Sequence, residues 1–464
     1  MKEVNLILKE QLKLINPSEE DLINIKKISR EFQLELSRNL KKNKIKADFF
    51  LGGSLAKNTL VNKNVYDIDI FVRFDKYYKE EISDILGKLL KNVKRIHGSR
   101  DYYQKNIGPI IIEVIPVIKI KKPEQALNVT DLSYFHVNYI LKKIKQNKRL
   151  ENEIKLGKAF AHAQNVYGAE SYINGFSGYA IELLVVHYKT FLNLLKAIVK
   201  LDLNNKLIID QEKLYKNKEE VLVLINHSKI LSPIILIDPT FKERNALSSL
   251  SYETLNKFQK SAKLFLKNPS KEFFIQKKIE DNFRNVNTKI IQVKTNKQRG
   301  DIAGTKTKKF YNFLLSELRK EFNIKKEGFE YSEKEDIAKI YLILKNKKPT
   351  LIKGPPIKYK KNLEEFKNKH KNVIIRKNFP KNRLPLPKSR DLISDFSFKG
   401  KFFGMLRNDL TIYGEVFNVS DIKNNYAYTI LEHNFTFEEW INNFKKNNLK
   451  IIREMGIIEL ELVK

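Results

Sequence analysis

Residues Leu51–Phe74 read L-G-G-S-L-A-K-N-T-L-V-N-K-N-V-Y-D-I-D-I-F-V-R-F. Gly52 and Gly53 allow the backbone to turn tightly after a strand, and Ser54 with the free amides of a following helix can seat phosphate oxygens. A Gly-Gly-Ser triplet by itself is most often an ordinary turn. The triplet therefore predicts a phosphate-binding turn only together with the residues that follow it.

The run Asp67-Ile68-Asp69 alternates polar and apolar side chains. In a strand this alternation places both aspartates on one face, about 7 Å apart, and the isoleucines on the other. Neighbouring carboxylates repel each other and favour protonation unless a cation lies between them. The pair therefore indicates a divalent-metal site; the alternative is that it faces solvent or pairs with Lys63 and Arg73.

A third carboxylate stands in the apolar stretch Pro109–Pro116, P-I-I-I-E-V-I-P, whose one charged residue is Glu113. A carboxylate in a buried strand is costly without a partner. Three acids that converge from adjacent strands form a two-metal site, which can activate a 3′ hydroxyl and stabilise a leaving pyrophosphate. Because the chain has no cysteine and seven histidines, its carboxylates favour a hard cation such as Mg²⁺.

The surrounding sequence predicts an α+β unit of about 130 residues. A helix over Ser18–Lys44 begins with a capping pattern, Ser18 followed by Asp21. The predicted strands are Asp48–Leu51, Tyr66–Phe74 and Pro109–Ile120, with a helix over Glu80–Leu90. Helix and strand patterns alternate here, so the helices are expected to lie against a mixed sheet.

The rest of the chain divides into a helical part and an α/β part. Helical patterns run from Asp131 to about Lys200, include the apolar face Tyr179–Leu195, and resume at Ser251–Leu266, with a Pro-containing loop over Ile234–Arg244. Farther on, strands are predicted at Lys289–Lys294 and Asp336–Leu344 and a helix at Ile302–Phe322. The expected domains are therefore 1–130, 131–265 and 266–464.

The charge points to a polyanionic partner. The chain carries a formal net charge of +34, and Lys345–Arg390 holds 16 Lys or Arg against 2 Glu, interleaved with Tyr359, Phe366 and Phe379. Nucleic acid is the expected partner of such a basic stretch, although a solvated Lys-rich surface is the alternative. Gly354-Pro355-Pro356 and the Pro380–Pro387 loop predict turns, so the stretch is not one long helix.

Other classes are excluded by pattern. The longest apolar runs fall short of the ~20 residues that span a bilayer, so no membrane partner is expected. The N-terminal residues alternate apolar with charged side chains, unlike a secretory signal, so the expected location is the cytoplasm.

The Gly-Gly-Ser turn, Asp-Ile-Asp run and third strand acid resemble the DNA polymerase beta nucleotidyltransferase superfamily, and the flanking sequence resembles the archaeal-type (class I) CCA-adding enzymes. The other blocks that carry this resemblance are S-Y-F-H at Ser133–His136, V-Y-G-A-E at Val166–Glu170, G-F-S-G-Y-A-I-E-L-L at Gly175–Leu184, D-P-T-F-K-E-R-N at Asp238–Asn245, L-K-N-P-S at Leu266–Ser270 and K-G-P-P at Lys353–Pro356. These blocks follow the family order over nearly the whole chain.

The resemblance implies a polymerase-beta-type palm domain (1–130), a helical nucleotide-binding neck (131–265), and a C-terminal α/β tRNA-binding body and tail (266–464). It implies template-independent addition of C, C and A to the 3′ end of tRNA from CTP and ATP, with Mg²⁺ as cofactor and pyrophosphate as product. The tRNA acceptor stem is the implied partner, with the basic stretch as part of its binding surface, and a homodimer is compatible with the family.

The resemblance also implies a role for each site residue. Asp67, Asp69 and Glu113 would hold the metals. The nucleotide-binding residues would be Gly53, Ser54 and Lys57 at the triphosphate, His136, Lys158 and Tyr167 in the triphosphate and sugar pocket, and Arg244 at the base edge. Two positions depart from the family pattern, because Lys57 stands where arginine is common and Glu113 where aspartate is common.

Three alternatives share part of this pattern. Another polymerase-beta-type RNA terminal transferase, such as a poly(A) polymerase, would have the same acids and a different base choice. A catalytically silent RNA-binding relative would not need the intact acids. A mononucleotide-transferring antitoxin or antibiotic-modifying enzyme would explain neither the length nor the basic C-terminal half.

Overall fold

A computed structural model describes residues 2–284, 287–296, 298–348, 350–370, 373–375, 403–406, 409–412, 415–418, 426–431, 433 and 435–464. The chain divides into two compact units, Met1–Lys278 and Ile279–Lys464. The boundaries expected at 130 and 265 stay a prediction. Within the described residues, no helix combines the length and apolar character that crossing a bilayer requires.

The first unit combines a mixed sheet with many helices. Its α-helices are α1 Lys2–Ile15, α2 Glu19–Lys42, α3 Gly53–Ala56, α4 Ile82–Leu89, α5 Ser133–Gln146, α6 Leu150–Ala163, α7 Gly178–Tyr188, α8 Phe191–Lys200, α9 Lys218–Leu224 and α10 Tyr252–Lys267. Its strands are β1 Ala47–Leu51, β2 Tyr66–Phe74, β3 Lys94–Ile96, β4 Tyr102–Ile107, β5 Ile110–Ile118, β6 Leu207–Ile209, β7 Ile234–Asp238 and β8 Phe241–Asn245. Short 3-10 helices cover Lys76–Glu81, Pro123–Gln125, Val129–Leu132, His227–Ile230 and Lys271–Phe274.

Strand β2, which contains Asp67 and Asp69, belongs to a sheet with the order β1-β2-β5-β4-β3. In this sheet β2 and β5 are parallel and the other pairs are antiparallel. Along β2 every second residue is buried, starting with Tyr66, because its apolar side chains pack with α2 and α4 in one core. Helix α2 starts where predicted, since Ser18 Oγ accepts a hydrogen bond from the Asp21 amide at 3.0 Å. The α+β class and the mixed sheet are confirmed.

The helical part of this unit has its own core, to which α1 contributes Leu8 and Ile15. The apolar face predicted over Tyr179–Leu195 belongs to two helices, α7 and α8. Helix α7 ends before Lys189, which adopts φ +70°. Thr190 then caps the N-terminus of α8, because its side chain accepts a hydrogen bond from the Asn193 amide. Continuous apolar character did not reveal this break, because both helices bury one face in the same core.

The prediction of a loop over Ile234–Arg244 is wrong, because this segment forms the antiparallel strands β7 and β8. All five residues of β7 are buried. A strand buried on both faces does not alternate polar with apolar residues, so it lacks the period-two pattern that identifies a half-exposed strand.

The second unit is also α/β. Its α-helices are α11 Gly300–Glu321, α12 Lys360–Lys369, α13 Phe437–Asn447 and α14 Leu449–Glu454, with a 3-10 helix at Ile279–Phe283. Its strands are β9 Thr288–Thr295, β10 Phe322–Ser332, β11 Ile337–Asn346, β12 Thr350–Pro356, β13 Val373–Ile375, β14 Phe403–Leu406, β15 Asp409–Ile412, β16 Glu415–Asn418, β17 Tyr426–Leu431 and β18 Ile457–Leu462. The sheets have the orders β10-β11-β9-β18, β12-β17-β13 and β14-β15-β16.

The two strands and the helix predicted in this unit are confirmed, other strands were missed, and one interpretation is wrong. Edge strand β10 was not predicted, because its run of charged residues after Phe322 masks the strand pattern. Gly354-Pro355-Pro356 is not a turn but the end of β12, where the pairing with β17 shifts register. The described part of the basic stretch consists of short strands and α12, so it is not one long helix; Pro380–Pro387 lies outside the described residues.

Candidate active site

Two predicted carboxylates lie on one face of the mixed sheet. Asp67 and Asp69 alternate with the fully buried Ile68 and Ile70 along β2, so they share the face opposite the core. Asp69 is the register partner of Glu113 on the parallel neighbour β5. The side chains of register partners point to the same side of a sheet, so the three predicted acids belong to one surface.

The Gly-Gly-Ser turn lies directly on this acidic face. The Gly52 amide donates a hydrogen bond to the Asp69 carbonyl at 2.8 Å. Gly53 adopts φ +59°, and a Cβ there would lie 1.7 Å from Asp69 Oδ2. Only glycine combines this backbone with this approach. The turn continues into α3, where Ser54 accepts at its carbonyl from the Thr59 amide at 2.9 Å.

The electrostatics of the aspartates fit a divalent cation. Burial raises the pKa of Asp69, and the charge of Asp67 raises it further, while three lysines lower it. Asp67 forms a half-exposed ion pair with Lys63 at 3.5 Å, as the alternative interpretation had it, whereas Arg73 pairs with Asp48 instead. A bound cation would offset both the cost of burying the Asp69 charge and the repulsion from Asp67, so these two residues fit a metal.

Glu113 is less well placed. Its Oε1 accepts a hydrogen bond from Gln104 Nε2 at 2.8 Å. Over the ranges that the structure describes, no group of three His, Cys, Asp or Glu side chains is arranged to hold a metal ion. The role of Glu113 as a third ligand therefore stays a prediction.

Lys57 and Lys158 meet at a carboxylate that the sequence analysis did not select. Glu182 on α7 is fully buried, and its two oxygens each accept a hydrogen bond at 2.7 Å, one from Lys57 and one from Lys158. Burial alone would raise the pKa of Glu182, but the charges of Lys158 and Lys57 outweigh it and lower that pKa. Lys158 also donates to Thr59 Oγ1 at 3.1 Å.

Tyr167 lies beside this cluster. Its ring stacks on His162 with the centroids 3.8 Å apart. Its hydroxyl lies over the first residue of α7, where a Cβ at Gly178 would come within 2.6 Å of it and 3.9 Å of Lys158 Cε. Lys158 and Tyr167 therefore both lie beside the first residue of α7, and their binding of a shared ligand stays a prediction.

His136 and Arg244 are brought together by a second unpredicted carboxylate, Asp238 at the end of β7. Arg244 Nη1 donates to Asp238 Oδ2 at 2.8 Å, and His136 Nε2 lies 2.9 Å from the same oxygen without hydrogen-bond alignment. Tyr179 donates to the other oxygen at 3.1 Å and stacks on the imidazole. Burial alone would raise the pKa of Asp238, but His136 and Arg244 hold it well below its usual range.

These clusters are electrostatically linked. Burial, then the charge of Glu182 and next that of Asp69, raises the pKa of Tyr167. Burial lowers the pKa of His136, Asp238 opposes this, and the charges of Arg244 and Lys57 contribute to the lowering. Within the first unit, Glu182 thus joins Lys57 to Lys158, and Asp238 joins His136 to Arg244. A signal for both was present in the sequence, because each is an acid within an apolar run, where a lone charge is expensive.

The basic stretch presents its charges on the surface of the second unit. Its described lysines on and before α12 are exposed except for the half-buried Lys347, and Tyr359 is 52% exposed between two of them. Lys353 on β12 lies 3.7 Å from the ring centroid of Tyr426. Phe366 packs on Gly354 and on His370 instead of facing solvent. Phe379 lies outside the described residues.

Comparisons with known proteins identify relatives of both parts of the first unit. A family model described as "Nucleotidyltransferase domain" matches residues 29–132, and one described as "tRNA nucleotidyltransferase, second domain" matches residues 152–275. The CCA-adding enzyme of Nanoarchaeum equitans is 38% identical over 71% of this chain and 81% of its own length. That of Methanocaldococcus jannaschii is 31% identical over 80% and 85%, and that of Thermoplasma volcanium 30% over 72% of each. A Cid1 poly(U) polymerase structure is 14% identical with a TM-score of 0.48, over 60% of this chain and 99% of that one.

Proposed function

The chain belongs to the archaeal CCA-adding enzymes, which are tRNA nucleotidyltransferases, and on this premise we propose the substrates and residues of its reaction. As a member of this family it is an enzyme that adds CCA to tRNA. We propose that it uses CTP and ATP, that Mg²⁺ is its divalent metal, and that pyrophosphate is released. The single observation that carries this proposal is the pair Asp67 and Asp69 on one sheet face, with the Gly53 turn packed on the second carboxylate.

Asp67 and Asp69 are the proposed metal ligands, with Glu113 as the third. Bound metal would supply Lewis-acid stabilisation of the charge that develops on the attacking and leaving oxygens. The burial of Asp69 and the repulsion that it meets from Asp67 support this assignment. What the chain itself contributes is a strand that places both carboxylates on one face of the sheet, which lowers the cost of orienting the reacting groups.

The triphosphate is proposed to lie between the Gly53-Ser54 turn and the ammonium groups of Lys57 and Lys158, with Tyr167 at its edge. Support comes from two buried lysines, 7% and 5% exposed, since buried cations are retained where they meet an anion. Lys57 binds as a point charge and not as a two-pronged donor, because a lysine lacks the planar fork of arginine.

The base is proposed to contact Arg244, with His136 in the same pocket. Arg244 donates one hydrogen bond to Asp238, and its side chain is 23% exposed. A guanidinium has five N–H donors, so further donors remain to meet the acceptor atoms of cytosine and adenine. Burial lowers the pKa of His136, and Asp238 opposes this.

The second unit is proposed to bind the tRNA acceptor stem through the basic stretch. Contacts to phosphates give affinity without reading sequence, which suits an enzyme that serves every tRNA. We further propose a division into catalytic (1–130), helical (131–265) and tRNA-binding (266–464) domains, a cytoplasmic location and a homodimer. Light scattering of the full chain tests whether it forms a homodimer.

The test of the function is the product sequence on tRNA transcripts that end before, or within, the CCA. With CTP alone the enzyme should add two C residues to the shortest transcript, and ATP should then allow a single A. A run of A residues with ATP alone would identify a poly(A)-type transferase. No product with any nucleotide, while tRNA still binds, would identify a silent RNA-binding relative.

A further inference from the structure

Glu182 joins two lysines that come from separate parts of the first unit. Lys57 follows the Gly-Gly-Ser turn at the end of α3, whereas Lys158 lies on α6. Glu182 on α7 is 0% exposed and makes a 2.7 Å hydrogen bond with each of them. Its carboxylate therefore fixes the distance between two ammonium groups that would otherwise repel each other.

The charges in this cluster do not balance. Glu182 is the one carboxylate that hydrogen-bonds these two nearly buried ammonium groups. Asp69 also attracts them from nearby, but its charge is assigned to the proposed metal, so one positive charge is left over. Buried ion pairs give little net stability, and an unpaired buried charge is costly. A cluster that served stability alone would need only one lysine, so the surplus charge indicates a site for an anion.

The lysines also keep donors for such an anion. An ammonium group has three N–H donors. Among the described residues, Lys57 donates to Glu182, and Lys158 donates to Glu182 and Thr59. Three of the six donors are thus used inside the cluster, and the other three remain for phosphate oxygens.

We propose that Glu182 is a positioning residue that holds Lys57 and Lys158 as a preformed pair for the β- and γ-phosphates of the incoming nucleotide. This inference rests on the proposed function, in which both lysines bind the triphosphate. Preorganised donors bind more tightly because their orientation costs no free energy at the moment of binding. Glu182 itself touches no phosphate, since both of its oxygens face the lysines.

The test compares CTP with CMP, which lacks the two outer phosphates. In Glu182→Gln the amide oxygen can accept from one lysine, while its NH₂ group opposes the other. We expect Kd for CTP to rise about tenfold, the scale of a coupled charged contact, and Kd for CMP to change by less than about twofold. The matched control is Glu153→Gln, which removes a half-buried carboxylate that accepts from the Phe191 amide and should leave both constants unchanged.

Equal weakening of CTP and CMP in Glu182→Gln, or unchanged CTP binding, would overturn the inference. If Glu182→Gln does not fold, Glu182→Asp decides, because the shorter acid keeps the charge and cannot reach both lysines. A preferential loss of CTP affinity in Glu182→Asp supports positioning, and an equal loss or none overturns it.

Lysine variants separate the two proposals. If Lys57→Met and Lys158→Met bind CTP as the wild type does, the proposed triphosphate site is wrong. If both weaken CTP binding but Glu182→Gln does not, only the inference about Glu182 fails. In the variants K57M/E182Q and K158M/E182Q, the effect of E182Q should shrink, because the pair it positions is already broken; fully additive losses contradict the inference.

Discussion

Arg244 and Asp238 form a 2.8 Å ion pair in which the carboxylate is 0% exposed and the arginine side chain 23% exposed. The same carboxylate accepts two hydrogen bonds from Thr240, through its amide at 2.9 Å and its hydroxyl at 2.8 Å. The acid is thus held rigidly by its own strand end and in turn orients the guanidinium. This arrangement gives Arg244 a defined direction before any nucleotide binds.

Arg244→Ala should reduce the choice between CTP and UTP by about 1 to 3 kcal/mol, or about 5- to 150-fold, the scale of a good bidentate base contact. The measurement is the ratio of kcat/KM for the two nucleotides on a tRNA that lacks all three terminal nucleotides. Lys242→Ala, an exposed neighbour on β8, is the control. An unchanged ratio in an active Arg244→Ala protein would locate base choice elsewhere.

Asp238→Asn should lower the same ratio by at least half of the Arg244→Ala effect in free energy, because the arginine loses the charge that orients it. Since both changes act through one contact, the double variant should be no worse than Arg244→Ala. The same kinetic ratio measures this, with circular dichroism to verify folding. Independent, additive effects would show that Asp238 acts on something other than Arg244.

Asp69→Ala should abolish nucleotide transfer and leave tRNA binding intact, because it removes a proposed metal ligand and not a contact to RNA. Asp67→Ala should behave in the same way. Incorporation of labelled CTP and a filter-binding assay with tRNA measure the two properties. Glu124→Ala, which removes an exposed acid, is the control; substantial Mg²⁺-dependent activity in Asp69→Ala contradicts the assignment.

Reversing Lys360 and Lys361 to Glu on α12 should raise KM for tRNA and leave KM for CTP nearly unchanged. The slope of log K against log salt should fall by up to about 2, one unit for each lost phosphate contact. Lys446→Glu/Lys450→Glu is matched in charge and lies on α13 and α14. If only KM for CTP changed, or if both pairs acted equally, α12 would not be the specific tRNA contact.

His162 should make the fold sensitive to mild acid. Burial, followed by the charges of Lys63 and Lys158, lowers the pKa of His162 from 6.5 to about 4. As the pH falls from 6.5 to about 4, His162 binds a proton in the unfolded chain but stays neutral in the native state, so up to about 3 kcal/mol of the free energy of unfolding is lost. His162→Phe keeps a ring against Tyr167 and should flatten the decline of Tm over this range; parallel declines contradict the prediction.

Local patterns were enough to predict the acidic strand and the helix before it. The alternation in Tyr66–Phe74 assigns Asp67 and Asp69 to one face because one side of a strand must be buried. The cap at Ser18 follows from hydrogen bonds within three residues. The β7 and β8 pair escaped prediction, since a fully buried strand has no alternation to detect.

The sequence by itself determined which side chains face the site from β2, and its family blocks indicated the chemistry. Only the tertiary structure decided which charges neutralise one another there. Along the sequence, Glu182 is separated by 125 residues from Lys57 and by 24 from Lys158, yet it hydrogen-bonds both. Asp238 and His136 likewise belong to distant segments of the chain and form an ion pair in the fold. Periodicity reports the burial of a residue along its own element, whereas the partner of a buried charge depends on how distant elements pack, which no local pattern encodes.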